Sequence, residues 1–206
     1  MFRPVRRVEV ALGVRDSRFL AVLAPAGSVP AAESRVHERS SEHPDASHHC
    51  WAYRLWSEGE VEGVGFDAGE PSGTAGRPIL GALRRADVVQ AVCVVSRWFG
   101  GTRLGTGGLT RAYARAARGV VEAAREAGGL EEVGARVLFE VRFGYEETAA
   151  VRKVLARLEA RELDGRFDER VTLEVSVGPG RARGFAGAIA DATGNAARTR
   201  RLGERL

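Results

Sequence analysis

The stretch DVVQAVCVVSRWF, residues 87–99, is nearly continuous in apolar residues, and it constrains the fold more than any other segment. A strand of that kind is buried on both faces. It calls for a layered α/β or α+β fold. Directly after it, RWFGGTRLGTGGLTRAY (97–113) places five glycines and three arginines in seventeen positions. LTRAYARAARGVVEAAREAG (109–128) then reads as a helix with Leu109, Ala112, Ala116, Val120 and Ala123 on one face. Gly128 and Gly129 end it.

Upstream, SRFLAVLAPA (17–26) and the aromatic-rich SHHCWAYRLW (47–56) read as strands. Gly27, Ser28 and Pro30 give helix-start chemistry to PAAESRVHERSSEH between them. A polar, acidic stretch, SEGEVEGVGFDAGEPSGTAG, leads into the short helix PILGALRRA, whose Pro78 is tolerated only in a first turn. After the linker EEVG (131–134) the pattern changes to strand, helix, two strands, helix and a charged edge strand. That β-α-β-β-α-β order is ferredoxin-like. The expected domains are therefore residues 1–131 and 135–206.

At 44% hydrophobic and 28% charged residues the composition is globular, and no window reaches the apolar length of a membrane span. Arg6, Arg7, Glu9, Arg15 and Asp16 interrupt any secretory-type apolar segment, so a cytoplasmic location is expected. Cys50 and Cys93 are expected as core thiols, not a disulfide. The net charge of +4 is almost wholly arginine on the positive side, Lys153 being the one lysine. Residues 88–121 hold Arg97, Arg103, Arg111, Arg115 and Arg118 with no acid, and residues 181–206 hold six arginines against Asp191 and Glu204. Two basic patches suited to acidic partners follow.

The glycine loop is not a standard nucleotide motif. No lysine follows the glycines as a Walker loop requires, and Thr110 stands where a dinucleotide fingerprint needs its third glycine. What it offers is backbone N–H groups at a helix N-terminus, an anion site in principle. Gly100, Gly101, Gly105, Thr106, Gly107 and Gly108 would supply the cradle, with Arg97, Arg103 and Arg111 adding charge. A second loop repeats the design, with Gly69, Gly73, Thr74 and Gly76 leading into the helix that Pro78 opens and Arg77 at its start. The competing reading is that the glycines serve turns and packing and that Arg118 and Glu122 form a surface pair. Asp67 and Glu70 could be catalytic carboxylates, although exposed turn carboxylates are usually solvated. All four histidines lie within 37–49, and His48 and His49 point to opposite faces of a strand, so a strand-end hydrogen-bonding role or RNA contact is expected over metal binding.

Together SRF (17–19), EHPDASHHC (42–50), GFDAGEPSGTAGRPIL (65–80) and RWFGGTRLGTGGLTRAY (97–113) resemble the YigZ/IMPACT family. The resemblance implies an N-terminal α/β domain like the fourth domain of elongation factor G and a C-terminal domain like its fifth. It points to RNA or the ribosome as partner, with no cofactor. Eukaryotic relatives regulate translation by competing for the activator of an initiation kinase through an additional N-terminal module, which the matched segments do not include. That regulation is not carried over. The expected function is thus RNA or ribosome binding of a regulatory type. The alternatives are an enzyme for a small anionic substrate between the two glycine loops, and a module for an acidic protein partner.

Overall fold

In the computed structural model, which describes residues 1–57 and 60–205, the chain forms two compact units, Met1–Trp56 with Glu60–Val133 and then Gly134–Leu206. The first begins with β1 (Phe2–Pro4), β2 (Val8–Val14), β3 (Ser17–Pro25) and α1 (Val29–Glu42). It continues through β4 (His48–Ser57), β5 (Glu60–Phe66), α2 (Gly76–Arg85), β6 (Ala91–Trp98), α3 (Gly105–Glu126) and β7 (Leu130–Glu132).

Five of these strands form one sheet in the order β2-β3-β6-β4-β5, which puts the most apolar strand, β6, at its centre. Alternation along β6 divides the core. Val92 and Val94 pack with Val22, Ala24, Ala32 and Tyr53 under α1. Cys93 and Val95 pack with Phe19, Leu23, Ile79, Leu83, Tyr113 and Val120 under α2 and α3. Burial on both faces follows from the unbroken apolar run.

Three boundaries differ from the sequence reading. Helix α3 begins at Gly105, not near Leu109, because Leu104 packs against the first core and the helix winds from there through the glycines. The polar stretch before α2 contains strand β5, while Glu58 and Gly59 of that stretch lie outside the described residues. β5 is an edge strand, and Gly65 in it lies so close to α2 that a β-carbon there would stand 2.4 Å from the Gly76 carbonyl oxygen. Part of the expected linker, Glu131 and Glu132, belongs to β7, which pairs antiparallel with β1. Arg3 holds it there through an ion pair with Glu131.

The second unit comprises β8 (Arg136–Phe143), α4 (Thr148–Arg157), β9 (Arg161–Phe167), β10 (Val171–Val177), α5 (Pro179–Ala192) and β11 (Arg198–Arg205). Its sheet order is β11-β8-β10-β9, with antiparallel pairing throughout, the ferredoxin-like arrangement. Val137, Phe139, Val141, Leu173 and Val175 alternate toward Val151, Leu155, Phe185 and Ile189 of the two helices. β11 is the charged edge, with Leu206 outside the described residues.

Candidate functional site

Several loops of the first unit meet where β6 ends. Arg18 lies opposite Trp98 and His48 opposite Arg97, so the β2–β3 turn and the segment ahead of β4 flank the loop after β6. The Phe99 amide donates to Ser47 Oγ at 3.1 Å, and Trp98 Nε1 donates to Asp45 at 2.7 Å. The Arg18 guanidinium sits 3.9 Å from the centre of the Trp98 ring. A β-carbon on Gly100 would lie 1.8 Å from the Asp16 carbonyl oxygen, so only glycine permits that approach. The second glycine loop joins through His48 Nδ1, 2.9 Å from the Ala68 carbonyl. Sequence segments far apart in the chain thus form one end of one sheet.

Beneath this surface lies a buried polar network. Arg97 donates to Glu70 Oε1 at 2.6 Å, and the same oxygen accepts from the Tyr113 hydroxyl at 2.8 Å. Arg97 also reaches Ser17 Oγ at 3.3 Å. The Cys50 thiol donates to the Asp67 carbonyl at 2.9 Å and lies 3.3 Å from Tyr113 Oη. Burial pushes the Cys50 thiol up to about 12 and raises Tyr113 above its ordinary value, so both stay protonated near neutrality.

The network changes the standing of two expected site residues. Arg97 is an interior cation committed to Glu70, not a ligand for an outside anion. Glu70 is not a solvated turn carboxylate, because its side chain is only 3% exposed beside Arg97. The histidines are also engaged, His49 Nδ1 lying 2.8 Å from Ser96 Oγ. Burial lowers the His49 pKa and favours its neutral form.

The two helix N-termini behave differently. At α2 the Asp67 carboxylate accepts from the amides of Gly73 at 2.7 Å and of Ala75 and Gly76 at 2.9 Å. Burial alone would raise this carboxyl, but the three amides outweigh it and hold it below the usual aspartate range. The chain's own carboxylate therefore occupies the anion site expected at Gly73 and Gly76. Thr74 is buried and donates its hydroxyl to the Pro71 carbonyl at 2.6 Å, whereas Arg77 remains exposed.

At α3 no side chain caps the helix, and Gly105, Thr106 and Gly107 are exposed. Gly101 and Gly105 have left-handed φ values of 97° and 69°, which bend the exposed Arg103 segment into the helix. An arginine-lined cleft of about 550 Å³ borders this turn, formed by Val14, Arg15, Leu104, Gly108 and the α3 residues Arg111, Arg115 and Arg118. None of these four arginines makes an ion pair among the described residues, and no acid lines the cleft. The expected Arg118–Glu122 pair is absent among the described residues. Arg111, Arg115 and Arg118 recur at helical spacing, a signal present in the sequence. Arg15 comes from a hairpin turn, and nothing local in the sequence links it to them.

Among the described residues no group of three or more His, Cys, Asp or Glu is set to hold a metal, and no helix is long and apolar enough to cross a membrane.

Comparison with known proteins gives a consistent picture. The IMPACT family member YigZ of Escherichia coli is 32% identical over 189 residues, covering 91% of both chains. A Thermus thermophilus IMPACT family member is 38% identical over 151 residues, 73% of this chain and 76% of that one. The crystal structure of a hypothetical protein, 27% identical, superposes with a TM-score of 0.65 over 96% of this chain and 95% of that one. With the Impact N-terminal domain matching residues 15–121 as well, the chain belongs to the IMPACT family.

Proposed function

We propose that this protein is a translation-associated, regulatory RNA-binding factor that grips phosphates with the arginine face of α3 and the uncapped N-terminus of that helix. The observation that carries the reading is the meeting of Arg15, Arg111, Arg115 and Arg118 in one cleft without an acid. Unpaired guanidiniums gathered on one face raise the local positive potential and suit the oxygens of a phosphodiester chain. Arg103 and the amides from Gly105 to Gly107 extend the surface from that cleft. The translational setting is supported by membership of the IMPACT family, which implies domains like the fourth and fifth of elongation factor G.

The enzyme alternative depends on Asp67 or Glu70 acting on a substrate. Asp67 holds three backbone amides, and Glu70 balances a buried guanidinium. Both carboxylates are occupied with the fold. The test is co-sedimentation with ribosomes and separated subunits across a salt series, alongside binding to isolated RNA. Salt-sensitive association is expected. No association at low salt, or association indifferent to salt, would refute the proposal.

A further inference from the structure

β5 closes one end of the first unit's sheet, so one of its two edges has no partner strand among the described residues. Its glycines settle which way its faces point. A β-carbon on Gly63 would stand 2.8 Å from Leu80 Cδ1, and one on Gly65 2.4 Å from the Gly76 carbonyl oxygen, so these positions press on α2. Alternation then turns Glu60, Glu62, Val64 and Phe66 to the opposite face, the side of α1. The contacts agree. Val64 packs with the cluster under α1, Glu62 Oε1 accepts from the Tyr53 hydroxyl at 3.3 Å, and Phe66 stacks on Trp51 with ring centres 4.0 Å apart and planes inclined by 11°.

That face is apolar and aromatic, and it is uncovered at its margin. Val22, Ala24, Val92 and Val94 are buried there with α1, but toward β5 Trp51 and Val64 are only half-buried and Phe66 is 37% exposed. Carboxylates border these rings. Burial first, then the charges of Glu62 and Glu33, raises the Tyr53 hydroxyl above its ordinary value, which places both acids near that ring. Glu33, Glu60 and Glu62 are exposed and make no ion pair among the described residues. Glu60 and Glu62 are same-face neighbours about 7 Å apart along the strand, a repulsion that a bound cation would relieve.

We propose that the free edge of β5 and the Trp51–Phe66 shelf form the docking site for an extended basic segment of a partner protein. The segment adds to β5 as a further strand, its backbone N–H and C=O groups giving affinity and its alternate side chains giving selectivity. Every second residue lies over the shelf, with arginine or lysine side chains against the exposed Phe66 ring and toward the carboxylates of Glu33, Glu60 and Glu62. β5 has no lysine or proline to blunt its edge, and its acids discourage an acidic strand while favouring a basic one. The same acids repel RNA. The arginine cleft of α3 belongs to the other face of the sheet, so this site is independent of the function proposed above.

The experiment uses the full chain and a fluorescent peptide of alternating arginine and valine, as long as β5, with an alternating glutamate and valine peptide as comparator. The basic peptide should bind and the acidic one should not. Glu60→Gln with Glu62→Gln should weaken binding about five-fold at low salt and reduce its salt dependence. The urea midpoint of this variant should not fall, because both side chains are exposed. Phe66→Leu should weaken binding about five-fold as well, with the salt dependence unchanged. Methylating the backbone nitrogen of every second residue removes the donors along one edge of the peptide. One of the two methylation patterns, the one facing β5, should abolish binding, and the other should leave it intact. Replacing Arg111, Arg115 and Arg118 by Gln should not weaken peptide binding, since α3 lies across the sheet. The site is overturned if the basic peptide does not bind, if the double glutamate variant keeps wild-type affinity, or if the two methylated peptides bind alike. A concentration-dependent dimer of the wild type that Phe66→Leu dissociates would give this edge to a second copy and overturn it too.

Discussion

The Glu70 carboxylate and the Arg97 guanidinium lie 2.6 Å apart inside the first unit, with side chains 3% and 6% exposed. The pair joins the second glycine loop to the end of the central strand, and Tyr113 ties both to α3 through the same carboxylate oxygen. A loop that looks like surface chemistry in the sequence is thus anchored from below.

Breaking that pair from one side leaves a buried charge without its partner, which costs about 3–5 kcal/mol. Glu70→Gln and Arg97→Gln should each lower the urea midpoint correspondingly. Glu70→Leu with Arg97→Met should recover much of the loss, since a packed apolar replacement removes both charges at once. Equal midpoints for Arg97→Gln and wild type would show that the pair does not support the fold.

The acid limb of stability should carry the signature of Asp67. Its folded pKa lies below the ordinary value of about 3.9, so its contribution is complete above that pH. It is lost as pH falls through the lower folded value. Asp67→Ala should cost about 1 kcal/mol near neutrality, the scale of a lost helix cap, and should shrink that loss on acidification. Urea titrations between pH 2 and 7 test it, and parallel acid limbs for variant and wild type would contradict the assignment.

The cysteines should be chemically silent in the folded protein. Burial raises both thiols to about 12, and neither is exposed. Since the thiolate is the reactive form, iodoacetamide at pH 8 should modify neither Cys50 nor Cys93 until urea unfolds the chain. Mass spectrometry of the native reaction decides it, and rapid labelling of Cys50 would show that the network around Tyr113 opens.

How much of this was legible in the residues depends on distance along the chain. The apolar run of β6 declared a central strand because every position in it had to be buried. The alternation of the second unit likewise gave its β-α-β-β-α-β order. The edge strands β2 and β5 were hidden, since the outward positions of β2 carry Glu9, Ala11 and Gly13, while β5 exposes Glu60 and Glu62 and sets glycines, not apolar side chains, against α2. In the candidate site, the three α3 arginines are readable from helical spacing. Two relationships are not. Asp67 caps a helix eight and nine residues ahead, and Arg97 finds Glu70 across 27 positions. Glycine and arginine in a loop carry the same letters whether they face an outside phosphate or an inside carboxylate.

The arginine face of α3 gives the prediction on which the proposed function stands. Arg111, Arg115 and Arg118 line one cleft and have no ion-pair partner among the described residues, so their charges are available to an outside anion. Replacing all three by Gln should weaken RNA binding across sequences alike, because phosphate contacts carry little base preference. The salt slope should flatten by about 2 for a single strand if all three touch phosphate. Arg97→Gln, measured under conditions where it remains folded, should leave the slope unchanged, since that guanidinium faces Glu70. Arg35→Gln is a second control, as Arg35 pairs with Glu38 on α1, across the sheet from α3. Gly107→Val probes the helix N-terminus without removing a charge. A β-carbon there would approach Arg111 Nη1 to 3.4 Å with no other neighbour within 4 Å, so the fold should tolerate it while affinity drops at constant slope. Should the triple variant bind with the wild-type slope, or Arg35→Gln flatten it as much, the cleft is not where the phosphates lie.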